Sequence, residues 1–126
     1  MTMMIYAALG GAIGAAARYG VNVTTPKLVG HGFPWATIIV NVAGSFVMGL
    51  LIALLALSWN TSQEMRVFLM TGVLGGFTTF SAFSLDFAAL YERKEYGLAF
   101  AYAGGSVVLS LLAVFAGLYL ARTVLQ

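Results

Sequence analysis

Cysteine is absent, which removes disulfides, thiolate nucleophiles and thiolate-bound metals together. Charge is scarce: only 8% of residues are charged, where a soluble domain of this size needs roughly a quarter. With 61% of residues apolar, the chain cannot cover itself with polar groups, so its solvent is largely lipid. The six cations and four anions are few and clustered, four of them in the run Glu92–Glu95. No basic patch exists for a nucleic acid to bind. Histidine occurs once, as His31 between Gly30 and Gly32 in the first connection, and reads as a solvated loop residue without a role. No nucleophile–base pair or metal-ligand cluster suggests an enzyme. Proline is confined to Pro26 and Pro34, both in the segment Asn22–Pro34, which reads as an ordinary connection, with room for a short turn of helix.

Between the charges lie four apolar stretches, each near the ~20 residues that cross a bilayer as a helix. They fall at Met4–Val21, Trp35–Leu57, Val67–Leu90 and Leu98–Val124, so residues 1–126 read as one all-α membrane domain of four transmembrane helices. Ala15-Ala16-Ala17 resembles a cleavage site, but Met1–Met4 carries no side-chain charge and three more spans follow, so the first stretch is expected to stay as a span. Four spans put both termini on one side. That side holds Arg66 and Arg122; the other holds Arg18, Lys27, Arg93 and Lys94. A bias of two cations against four orients a chain weakly, which leaves two readings: one fixed orientation, or insertion both ways with antiparallel pairing.

The first span is rich in small residues, with Gly10 and Gly14 in a G-x-x-x-G pair and Ala7, Gly11 and Ala15 beside them. Such residues let helix backbones approach closely in lipid. Arg18 lies near its end and reads either as a snorkelling flank residue or as a positive charge at the mouth of an anion path. In the second span Thr37, Asn41 and Ser45 stack on one face at i, i+4, i+8. Asn41 must find partners at membrane depth, as interhelical glue or as a donor to an aqueous path. The third span carries the run Thr71–Ser84, in which adjacent glycines, Gly75-Gly76, and adjacent threonines, Thr78-Thr79, predict a helix broken over Gly75–Thr79. A break in lipid is tolerated only when buried in protein or lining water. It frees carbonyls, which hold cations, and N–H groups, which favour anions. Phe80 and Phe83 share a face beside it. In the fourth span Tyr102, Ser106 and Ser110 form a second hydroxyl track.

Taken in order, Gly14-x-x-x-Arg18-Tyr19, Val40-Asn41-Val42-x-Gly44-Ser45, Gly75-Gly76-Phe77-Thr78-Thr79-Phe80-Ser81-x-Phe83 and Tyr102/Ser106/Ser110 resemble the CrcB/Fluc fluoride channel family over the whole chain. The resemblance implies an antiparallel, dual-topology homodimer in the bacterial inner membrane, with two fluoride pores built from both subunits. It implies that Asn41, Phe80, Ser81, Phe83, Tyr102, Ser106 and Ser110 line or adjoin those pores, with Arg18 at the vestibule. It also implies a structural Na⁺ at the dimer centre, held by backbone carbonyls that by motif position are those of Gly75 and Thr78. Transport would be passive and would protect the cell from fluoride.

The chemistry agrees with that resemblance. Fluoride holds its water tightly, so a pore must replace the water with donors: the Asn41 amide, the hydroxyls of Ser81, Ser106 and Ser110, and the positive ring edges of Phe80 and Phe83. The rival reading is a small four-helix proton-coupled multidrug exporter. It requires a membrane-embedded carboxylate, and the first span has none; Asp86 lies near the end of the third. A third reading, a non-conducting assembly subunit, predicts a heteromeric partner and no flux from the pure protein.

Overall fold

Glycine and threonine placement, more than apolar periodicity, shapes this bundle. A computed structural model describes residues 1–126, and every regular element is helical. Helix α1 is Thr2–Val29 and α2 is Trp35–Leu57. The third span is composite: α3 (Gln63–Arg66), a π-helical segment (Val67–Leu74), α4 (Gly75–Phe77) and, after a break, α5 (Phe80–Glu92). Helix α6 is Tyr96–Leu125. The second span has the bounds expected from the sequence. The first does not: α1 continues through Pro26 into the expected connection. Proline forfeits one backbone bond, but its fixed φ is helical. Only one further turn follows before Gly30, at φ 86°, ends the helix.

Three helices are long and apolar enough to cross a membrane: Trp35–Leu57, Gln63–Glu92 and Tyr96–Leu125. Helix α1 has the length, at 28 residues, but glycines, alanines and Arg18 stand where the others carry leucine and valine. Burial is inverted relative to a soluble protein. Only 16 of 126 residues are buried, while Leu9, Leu112, Phe115 and Tyr119 face outward. In water that exposure costs about 25 cal/mol per Å²; hydrocarbon removes the cost.

The bundle is two close-packed pairs. Helix α1 lies against the π segment and α4, and α2 against α6. Both contacts are backbone to backbone. A Cβ at Gly10 would fall on the Phe68 carbonyl oxygen, and one at Gly14 on that of Val73. A Cβ at Gly76 would stand 2.6 Å from the Gly11 carbonyl oxygen. Gly49 and Gly117 form the matching contact between α2 and α6. Dispersion at this close range supplies the attraction that the hydrophobic effect cannot supply in lipid.

The expected break is real but narrower than Gly75–Thr79. Gly75 and Gly76 remain helical, because Gly76 is the contact with α1. The chain becomes extended only at Thr78 (φ −84°, ψ 159°) and Thr79 (φ −154°, ψ 123°), the two β-branched residues. Thr79 then caps α5, its Oγ1 accepting from the Ala82 N–H at 3.0 Å. At its other end α5 closes in a Schellman motif. Glu95 N–H reaches the Leu90 carbonyl, Lys94 N–H reaches that of Tyr91, and Lys94 takes the left-handed conformation at φ 63°.

The glycine contacts give a direct test. Gly14→Val should lower the unfolding temperature in detergent, at a cost of about 1–3 kcal/mol for forced overpacking. Gly20→Ala, where an added Cβ meets nothing within 4 Å, should leave it unchanged. Equal melting of the two variants would rule out the close α1 contact.

Candidate functional site

A helix interrupted in lipid leaves N–H and C=O groups that must be accounted for one by one. In an unbroken helix Thr79 N–H would serve the Gly75 carbonyl, Phe80 N–H that of Gly76, and Ala82 N–H that of Thr78. Side chains take over two of these bonds. Asn41 Oδ1 accepts from Thr79 N–H at 2.7 Å, while Asn41 Nδ2 donates to the Thr79 carbonyl at 2.9 Å. Thr79 Oγ1 takes the Ala82 N–H. Arg18 Nε donates to the Gly76 carbonyl at 3.0 Å, so the guanidinium of α1 neutralises one orphan acceptor at the break. The carbonyls of Gly75 and Thr78 receive none of the hydrogen bonds made outside the helices. Each loses the donor a continuous helix would give it, Thr79 N–H to Asn41 and Ala82 N–H to Thr79 Oγ1.

Beside the break lies a cavity of about 500 Å³. Its wall brings together seven of the expected site residues: Asn41, Gly75, Thr78, Phe80, Phe83, Ser106 and Ser110. Gly44, Ser45 and Thr79 complete the polar and small part of the lining, and the rest is aliphatic. Ser106 Oγ is the one buried side-chain polar atom in the protein without a hydrogen-bond partner, in a residue only 4% exposed. A buried hydroxyl left unpaired costs about 1–3 kcal/mol, so a group it can donate to is missing from the wall. Phe80, at the first position of α5, is 77% exposed. Its ring packs on Phe83 with centroids 5.5 Å apart.

Three expected residues stand off this wall. Ser81 is exposed and lies 3.4 Å from Thr79 Oγ1. Arg18 is committed to the Gly76 carbonyl. Tyr102 is fully buried one turn from Ser106, its ring 5.3 Å from that of Phe83. Its hydroxyl donates to Asp86 Oδ2 at 3.0 Å, and Thr37 Oγ1 donates to the same oxygen at 2.6 Å. Helices α2, α5 and α6 thus converge on one carboxylate. Sequence reasoning set Asp86 aside as peripheral to the span. Its signal was the i+3 step from Phe83, which puts Phe80, Phe83 and Asp86 along one side of α5. Thr37 likewise shares a face with Asn41.

No group of three or more acidic, histidine or cysteine side chains could hold a metal ion. Backbone oxygens are the other hard-cation ligands available. Gly75 and Thr78 both line the cavity, and carbonyl oxygens are donors of the kind an alkali cation takes.

A family model described as CrcB-like protein, Camphor Resistance (CrcB), matches residues 5–118. The "Fluoride-specific ion channel FluC" of Agrobacterium fabrum is 56% identical over 115 residues, covering 91% of this chain and 92% of that protein. The protein of the same name from Chelativorans sp. is 51% identical over 125 residues, covering 99% and 100%. That of Rhodospirillum centenum is 53% identical, covering 98% of both chains.

The amide brace predicts a large cost on removal. Asn41→Leu strands both backbone groups of Thr79, at about 1–3 kcal/mol each. The variant should lose several degrees of thermal stability in detergent, read by circular dichroism. A variant as stable as the parent would show that Thr79 finds other partners.

Proposed function

Because the chain belongs to the CrcB-like family, we propose that it is a fluoride-selective passive ion channel of the bacterial inner membrane, an antiparallel homodimer of four-span subunits with two pores. The observation that carries the reading is Ser106 Oγ, a buried donor without an acceptor on the cavity wall. An anion is the acceptor such a wall lacks. Proton-coupled drug export, the rival, gains no support from the family.

Fluoride approaching the break exchanges water for weak neutral donors. The second Nδ2–H of Asn41 remains after the first is given to Thr79. Ser106 and Ser110 add hydroxyls one helical turn apart. Phe80 and Phe83 turn positive ring edges toward the anion while keeping the passage narrow. Neutral donors hold the ion firmly enough to admit it and loosely enough to let it leave. A fixed arginine would trap it, and Arg18 is instead tied to backbone. Hydrogen fluoride crosses lipid as the neutral acid and ionises inside. The negative interior then drives fluoride out through the pore without coupling to another ion.

The exposed lining fits a second subunit. Phe80 and Gly75 lie open on the cavity side, and the wall is unfinished without a partner. Two breaks meeting at a dimer axis would bring four carbonyls, from Gly75 and Thr78 of each subunit, around one structural Na⁺. The ion supplies positive charge between carbonyls that would otherwise repel, and it is not transported.

Phe80→Ile and Phe83→Ile keep apolar bulk but remove the ring edge. Each should reduce fluoride efflux from loaded liposomes, with the voltage clamped by a potassium ionophore, by at least tenfold, the factor of about 1.4 kcal/mol. The variants should stay dimeric; wild-type efflux in both would refute the pore assignment. Replacing sodium by a large organic cation should loosen the dimer on size exclusion without any sodium current appearing, and Gly75→Leu should weaken it likewise. A dimer indifferent to sodium would refute the central ion.

A further inference from the structure

A second cavity, of about 260 Å³, opens at the other side of Asp86 and is lined by His31, Gly32, Pro34, Asp86, Ala89, Leu90 and Arg93. It is continuous in chemistry with the first. Asp86 forms part of its wall, and Tyr102, bonded to Asp86, is one turn from Ser106 on the first cavity. A ladder of rings runs the same course. Phe33 meets Tyr102 edge-on at 5.5 Å, Tyr102 meets Phe83 at 5.3 Å, and Phe83 meets Phe80 at 5.5 Å. Thr37, Asp86 and Tyr102 thus link residues that line the two cavities.

That arrangement poses an electrostatic problem. A carboxylate stands beside the route of an anion. Thr37 and Tyr102 both donate to one of its oxygens, which spreads the charge but does not cancel it. A cation on the outer side is the remaining means of offsetting it, and the cavity supplies one. Arg93 is held over the cavity by the Schellman turn that ends α5 and by an Nη2 contact to the Gly32 carbonyl at 3.5 Å. Its ion pair with Glu95, at 3.0 Å, is exposed, with Arg93 53% accessible. Such a pair leaves much of the guanidinium field in place. His31 faces the same space from the first connection and is exposed.

We propose that this cavity is a mouth of the permeation path, an anion-gathering vestibule whose strength is set by the charge of Arg93. The proposal rests on the fluoride-channel reading above and adds to it where fluoride enters and which residue concentrates it. A cation beside a low-dielectric cleft raises the local anion concentration about tenfold or more at low ionic strength, and salt screens the effect beyond roughly 8–10 Å. The charged group facing Arg93 across the cavity is Asp86. Glu95 pairs with Arg93, and Lys27, Glu92 and Lys94 are the other charges at this end.

The test is single-channel recording of the full-length protein in planar bilayers, where neutral hydrogen fluoride carries no current. Sodium fluoride is used at low ionic strength, with the same pH on both sides. Arg93→Gln should lower the subsaturating current about threefold or more, Arg93→Lys should restore it, and all variants should converge at saturating fluoride or high salt. The Arg93→Lys rescue separates the charge from the contacts Arg93 makes with Gly32 and Glu95. If Arg93→Gln keeps the parent current at subsaturating fluoride, the cavity is not on the path, and the fluoride reading stands without it. If the parent protein passes no fluoride current, the fluoride reading fails and the mouth fails with it.

Discussion

Everything at the centre of this molecule depends on one pair of hydrogen bonds, those between the Asn41 amide and the backbone of Thr79. An interrupted helix in lipid is expensive because each stranded backbone group costs several kcal/mol. Asn41 presents a donor and an acceptor at the right spacing to replace a missing turn, and it does so from another helix. That frees Gly75 from its helical partner. Thr79, extended because Asn41 holds it there, can turn its hydroxyl onto the Ala82 N–H and release Thr78 as well. One amide thus defines where the third span stops, where it restarts and which carbonyls face the cavity. Of the two alternatives that stood in the sequence, the interhelical glue is what the bonds show, and the same bonds fix the amide on the cavity wall.

Close backbone packing makes this possible. The break is carried on a segment that α1 grips through Gly10, Gly14, Gly72 and Gly76, so the irregular backbone hangs from a rigid contact. Arg18 belongs to the same grip. Its long side chain reaches the Gly76 carbonyl beyond the last glycine contact, which satisfies both a cation and an orphan acceptor. The one cation beside the break is thus spent on structure.

Much of this was legible in the sequence, and the failures have physical causes. The bounds of the second span and the polar faces follow from 3.6-residue spacing and from the scarcity of polar groups in an apolar chain, where each one is conspicuous; the seven cavity residues came together as a set only through the family resemblance. The break was legible as a region but not to the residue. Glycine weakens a helix in isolation, yet Gly75 and Gly76 stay helical because tertiary contact with α1 outweighs their propensity. The helical course through Pro26 was missed for a related reason: proline was read as punctuation, while its cost near a helix end is a single bond. Asp86 was missed because a carboxylate near a span end is normally solvated. Only the fold brings Thr37 and Tyr102, from two other helices, onto one of its oxygens.

The break also separates two opposite chemistries within a few residues. At the end of α4 the chain presents carbonyl oxygens, the negative pole of a helix; at the start of α5 it presents N–H groups, the positive pole. A cation and an anion can therefore be served by the same interruption without competing for the same atoms. The carbonyl side lies at Gly75 and Thr78, and Phe80, at the first position of α5, stands on the other side. A continuous helix could present neither pole at mid-membrane, and a break without the Asn41 brace would collapse to satisfy its own backbone. The fold therefore uses a neutral amide to keep the two poles apart, and that separation is what allows a chain with so little charge to handle ions at all.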